Sequence, residues 1–83
     1  MKIVNRLGLH LRAAAQFVKV ANQYRCDVLV QSGSTSVNGK SIMGLATLAA
    51  AQGSDIGIIT RGDDYAAAMV ALVALVEDGF GEE

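Results

Sequence analysis

The chain holds one histidine, and the residues around it are those best suited to chemistry. His10 stands in Gly8-Leu9-His10-Leu11-Arg12, between a short β-branched stretch with Ile3 and Val4 and an apolar pattern of helical period. A helix start carries four backbone N–H groups without intrahelical acceptors, together with the positive end of the helix dipole. Such a terminus is an anion site, and a phosphoryl group suits it. An imidazole nitrogen can take up that group as a nucleophile while Arg12 and the free N–H groups hold its oxygens. Gly8 lets the backbone approach closely, with no Cβ in the way. On spacing alone a histidine that only caps the helix, or is exposed there by chance, fits the same pattern and is the commoner case.

Other chemistries find less support. There is no second histidine and no cysteine near His10, so no metal site is expected. Cys26 opens a buried-looking strand, where a small apolar side chain is its natural role, and no Ser/His/Asp or Cys/His triad can be drawn. Asn38-Gly39-Lys40-Ser41 contains Gly-Lys-Ser, but Ser34 stands where a phosphate-binding loop needs its first glycine. No cofactor is expected. One nucleophile without a general base or deep pocket reads as a relay and not as a stand-alone enzyme.

The elements that must position His10 follow from periodicity. Residues 1–6 read as a strand that Gly8 ends. Leu11, Ala14, Ala15, Val18 and Ala21, widened by Phe17 and Val20, mark the apolar stripe of a helix ending near Asn22. Val28, Leu29 and Val30 read as a buried strand, Ser32-Gly33-Ser34 as a hairpin turn, and Thr35, Ser36 and Val37 as the return strand. Ser41 is a good N-cap for a short helix reaching about Ala50. Residues 56–60 read as a further strand, and Gly62-Asp63-Asp64 as a turn whose acids suit the start of a last helix. That helix carries Met69, Leu72, Val73 and Val76 on one face and stops at Gly79. The order β-α-β-β-α-β-α lacks the alternation of a parallel sheet. It predicts an α+β two-layer open-faced sandwich, with a four-stranded antiparallel sheet and helices on one face.

Eighty-three residues make one small domain, and an apolar share of 52 % fills one core. A lone cysteine excludes an intramolecular disulfide framework. The longest apolar run, residues 66–76, falls short of the roughly 20 residues a bilayer requires. With no signal-like N-terminus, a soluble cytoplasmic domain without membrane insertion is the expectation. Charge is segregated: residues 1–61 sum to +5 and residues 62–83 to −6. The small aromatic content and absence of overall basic excess speak against nucleic acid as a partner. The basic early part suits docking on an acidic protein.

Gly8-Leu9-His10-Leu11-Arg12-Ala13-Ala14 followed by Phe17-Val18 resembles the active-site segment of the histidine-containing phosphocarrier proteins, the HPr family of the phosphoenolpyruvate-dependent phosphotransferase system. Asn38-Gly39-Lys40-Ser41-Ile42-Met43-Gly44-Leu45 resembles the segment around that family's regulatory serine. Two motifs at the right separation, with the matching element order, span nearly the whole chain. They tip the reading of His10 from cap to phosphoryl site.

The resemblance implies a single HPr-like domain over residues 1–83, with three helices on one face of a four-stranded sheet. It implies that enzyme I, charged by phosphoenolpyruvate, phosphorylates His10 on Nδ1, and that enzyme IIA-type acceptors take the group onward. Arg12 would neutralise the phosphoryl oxygens. Ser41 would be the target of an ATP-dependent HPr kinase/phosphorylase, and Leu11, Ala15, Lys19, Ile42, Met43 and Thr47 would form the docking surface. The protein would act as a monomer in sugar uptake or in nitrogen and carbon regulation. The alternative is a regulatory docking module switched through Ser41, but His10 and Arg12 favour the carrier. Three features depart from the family pattern. Ala13 stands where a proline is common, which adds a backbone donor beside the site. Leu11 replaces a usually small residue, and a few residues commonly precede the position of Met1. The ending Asp78-Gly79-Phe80-Gly81-Glu82-Glu83 resembles carriers of nitrogen-related regulatory chains.

Overall fold

Alternating side chains along residues 27–32 put Val28 and Val30 on one face of a strand and Asp27, Leu29 and Gln31 on the other. In the computed structural model, which describes residues 1–82, this strand is β1 (Asp27–Ser32). Glu83, the last residue of the expected domain, lies outside the described residues. A two-residue turn with Gly33 at φ 60° leads into β2 (Thr35–Asn38), antiparallel to β1. On the other side of β1 runs β3 (Gly57–Arg61), also antiparallel, with Val28 opposite Thr60 and Val30 opposite Ile58. The sheet order is β2-β1-β3.

Among the described residues three helices, α1 (Leu11–Ala21), α2 (Ile42–Leu48) and α3 (Tyr65–Glu77), cover the Val28/Val30 face, and a 3-10 turn follows at Gly79–Gly81. The core joins Phe17, Leu45, Leu72 and Val76 to Val28 and Val30, and Ile3 and Phe80 close its ends. Helix α1 buries Ala13, Ala14, Phe17, Val18 and Ala21. The expected stripe is therefore rotated: Leu11 is 60 % exposed and Ala15 half-buried. The rotation follows from Phe17, the largest apolar side chain on the helix, which drives its own face inward. Helix α2 ends two residues short of Ala50 because Ala49 takes a left-handed conformation, φ 50°.

The expected fourth strand is not formed. Lys2 makes one isolated antiparallel bridge with Asp55. Met1 and Ile56 exchange backbone hydrogen bonds (2.6 and 2.8 Å), and Ile3 N–H donates to the Ser54 carbonyl at 2.9 Å. This register sets Met1 opposite Ile56, one residue before β3 begins. The segment therefore pairs with the lead-in to β3 and not with β3 itself, and among the described residues the sheet has three strands. Among the described residues no helix is long and apolar enough to cross a membrane.

The acids before α3 do not all serve as expected. Asp64 is the N-cap residue, at φ 53°, but its side chain makes no capping bond to α3. Its carboxylate instead accepts the backbone N–H groups of Arg25 (3.0 Å) and Cys26 (3.1 Å), fastening the start of α3 to the lead-in of β1. The Arg25 N–H chiefly, with that of Cys26, holds the Asp64 carboxyl below the usual carboxylate range. A carboxylate with a depressed folded-state pKa contributes stability above its unfolded value, and that contribution is lost as pH falls through the folded value. Asp64→Asn is therefore expected to lower the urea midpoint at pH 7, with the gap to the parent closing as pH falls below the ordinary carboxylate range. A gap of constant size from pH 7 to pH 3 would refute an ionised role for Asp64.

Candidate functional site

The segment entering α1 is held by close backbone contacts. Leu9 N–H donates to the Ala50 carbonyl at 2.8 Å, just past the end of α2, and the Leu9 side chain is buried. Gly8 makes this approach possible. It has φ +69°, and a Cβ there would sit 2.4 Å from the Ala50 oxygen. On the other side Asn5, 3 % exposed, pins the turn: Gly8 N–H donates to the Asn5 carbonyl (3.2 Å), and Asn5 Nδ2 donates to the Gly8 carbonyl (2.8 Å).

His10 follows as the N-cap of α1, in an extended conformation with φ −77° and ψ 178°. Its carbonyl accepts the first helical bond, from Ala14 N–H at 2.8 Å. Its ring has two distinct sides. Nδ1 accepts from the backbone N–H of Arg12 at 3.3 Å, so this nitrogen is turned to the helix N-terminus. Nε2 lies 2.5 Å from Glu82 Oε2. Nδ1 thus meets a donor and Nε2 an acceptor, which together place the proton on Nε2 in the neutral ring. The histidine is 27 % exposed at its side chain, so a partner can reach it.

Glu82 and Asn5 are the site residues that sequence reasoning missed. Asn5 Nδ2 donates to Glu82 Oε1 at 2.8 Å, so one carboxylate bridges Asn5 and His10. That hydrogen bond from Asn5, then the bond and charge of His10 and the charge of Arg12, hold the Glu82 carboxyl below its ordinary value against the opposing effect of burial. Glu82 reaches the site because Phe80, at φ 60° and 2 % exposed, plugs the core and turns the chain back. A single apolar residue between Gly79 and Gly81 was the available signal for that return. Arg12, Gln16, Phe80 and Glu82 line an open cleft of about 620 Å³ beside the histidine.

The other candidate residues lie apart from this cluster. Ser41 caps α2, its Oγ accepting Gly44 N–H at 3.0 Å. His10 instead borders Ala46, Ala49 and Ala50 at the far end of α2. A seven-residue helix separates the two by roughly 10 Å along its axis. Leu11 and Lys19 are exposed on α1 and Ala15 is half-buried there, while on the adjacent α2 Ile42 and Thr47 are exposed and Met43 is 71 % exposed. Cys26 is 2 % exposed, and burial first, then Asp64, pushes its thiol pKa up, so it remains a neutral core side chain.

A family model described as the PTS HPr component phosphorylation site matches residues 1–78. The chain belongs to the HPr family. It is 49 % identical over 82 residues to the phosphocarrier protein HPr of Neisseria meningitidis, covering 99 % of this chain and 92 % of that protein. A crystal structure of HPr from Thermoanaerobacter tengcongensis superimposes with a TM-score of 0.94 at 42 % identity, covering 100 % of this chain and 93 % of the other. A second structure from that organism, described as an HPr dimer, has a TM-score of 0.83 at 41 % identity over 99 % and 94 % of the two chains. Membership places the chain among the HPr components of the phosphotransferase system and supports a phosphoryl-carrier role.

The close approach at Gly8 generates a test. Gly8→Ala combines a left-handed alanine, costing about 1–2 kcal/mol, with an overpacked contact of about 1–3 kcal/mol. It is expected to lower the melting temperature and, if His10 is displaced with the turn, to slow phosphorylation of the chain in a single-turnover assay. A variant with the parental melting temperature and rate would show that the contact with Ala50 does not place the histidine.

Proposed function

We propose that His10 is the phosphoryl acceptor of this carrier, receiving the group from enzyme I on Nδ1 and passing it to enzyme IIA-type acceptors. The observation that carries this reading is the orientation of Nδ1 toward the N-terminus of α1, beside the Arg12 N–H. The Nδ1 lone pair attacks phosphorus as the bond to the donor breaks, and the phosphoryl oxygens take the free N–H groups of the first helical turn and the Arg12 guanidinium. A helix N-terminus stabilises an anion by about 0.3–1 kcal/mol, up to about 2 when partly buried. Such a modest hold suits a group that must be handed on. The carrier works in the cytoplasm, as a monomer, in sugar uptake or in nitrogen and carbon regulation. It is a relay and holds no cofactor.

The test is phosphorylation by a cognate enzyme I with phosphoenolpyruvate. An acid-labile phosphoryl group is expected on the parent and none on His10→Ala, whose fold survives because a helix cap is not core. A label that persists in that variant would overturn the assignment.

Docking is assigned to Leu11, Ala15, Lys19, Ile42, Met43 and Thr47, supported by the exposure of Leu11 and Met43. Phosphorylation of Ser41 by an HPr kinase/phosphorylase would place about two negative charges beside Ile42 and Met43 and oppose an acidic partner. Since His10 lies at the other end of α2, the modification acts on docking and not on the histidine itself. Ser41→Asp is expected to weaken binding to enzyme I about tenfold by calorimetry while leaving the melting temperature unchanged, because aspartate caps a helix as well as serine. Equal affinities would leave Ser41 as a helix cap alone.

A further inference from the structure

The C-terminal segment makes a contact that the carrier reading does not use. Phe80 turns the chain back, and Glu82 then places its two carboxylate oxygens on two different partners: Asn5 Nδ2 at 2.8 Å and His10 Nε2 at 2.5 Å. The Asn5 amide is oriented by its surroundings, since both groups it meets, the Gly8 carbonyl and the Glu82 carboxylate, only accept. That orientation leaves Asn5 Oδ1 buried and, among the described residues, without a partner. An orphaned buried acceptor is normally avoided, and here it accompanies an amide committed to aiming its donors at the turn and at Glu82. Glu82 and Arg12 supply the charge beside the ring, while the side toward α2 presents Leu9, Ala46, Ala49 and Ala50, which carry none.

We propose that Glu82, held by Asn5, is a positioning residue that keeps the neutral His10 ring in the Nε2–H tautomer, so that Nδ1 alone carries the lone pair. The inference rests on the reading of His10 as phosphoryl acceptor. With the proton kept on Nε2, transfer needs no proton movement. The Nδ1 lone pair forms the N–P bond, the bond from phosphorus to the donor's leaving atom breaks with its electron pair, and the ring becomes a phosphoimidazolium still bonded through Nε2–H to Glu82. On onward transfer the N–P electron pair returns to Nδ1, and the neutral Nε2–H ring is restored. In the other tautomer the lone pair sits on Nε2, away from the helix N-terminus, and the proton on Nδ1 blocks that atom. A carboxylate fixing the tautomer of a reacting histidine through its far nitrogen is a general second-partner device.

The test is long-range proton–nitrogen correlation NMR of the His10 ring in its neutral form, on the full chain. It is paired with phosphorylation by phosphoramidate, a small donor that needs no enzyme I. The parent is expected to show a bare Nδ1 and a protonated Nε2. Glu82→Ala, which alters a residue outside every helix and strand, is expected to show a measurable Nδ1–H population and a phosphorylation rate about tenfold lower, the loss of one charge-assisted hydrogen bond. Glu82→Asp, with a shorter reach, should fall between the two. Asn5→Ser should move the same two readouts with the carboxylate still present. A C-terminal segment that served only to close the core would alter melting temperature and leave the tautomer where it was. An unchanged tautomer and rate in Glu82→Ala would overturn the proposal. Phosphorylation of the parent at Nε2, or none at His10 with enzyme I, would overturn the functional reading instead, and the tautomer measurement would stand apart from it.

Discussion

Backbone passing backbone, at the place where Leu9 donates to the Ala50 carbonyl across the Cβ-free face of Gly8, is the constraint on which the rest of the site depends. It joins the entry of α1 to the exit of α2, two elements that share no sheet strand. Because Leu9 is buried beside it and His10 is the next residue, any movement of that contact moves the imidazole. Asn5 closes the same turn from below, with one bond from its backbone and one from its side chain. The histidine therefore stands on a segment fixed from two sides, although the segment has no regular secondary structure of its own.

The small sheet is sufficient for this purpose. Strand β1 lies between two antiparallel neighbours and offers Val28 and Val30 to three helices. Asp64 pins the start of α3 to the lead-in of β1, and Phe80 pins the end of the chain to the core. The last helix thus runs between two anchors, and its far anchor delivers Glu82 to His10. Charges that are segregated along the sequence, basic early and acidic late, are recombined at the site, where Glu82 lies beside Arg12 and His10. Ser41, at the opposite end of α2, shares a helix with the neighbourhood of the histidine but does not touch it. In the proposed function, transfer at His10 and modification at Ser41 would address one docking surface by different routes.

The sequence by itself determined the helix that His10 caps, the Ser41 cap, the hairpin turn at Gly33 and the antiparallel α+β class, because each rests on interactions within a few residues. N-caps, two-residue turns and period-two alternation are local, and so they are readable along the chain. The family resemblance was carried by the same local motifs around His10 and Ser41. Other features were decided only in the tertiary structure. The face that α1 buries was set by where Phe17 finds the core, not by where the apolar stripe begins. Residues 1–6 have the composition of a strand, yet the register against residues 53–56 leaves only the Lys2–Asp55 bridge. Asp64 has the type of a helix-capping residue, yet it meets two N–H groups 38 and 39 residues away. The Glu82 contact with His10 spans 72 residues, and no periodicity reports a hydrogen bond whose partners meet only after α3 has packed and Phe80 has turned the chain home.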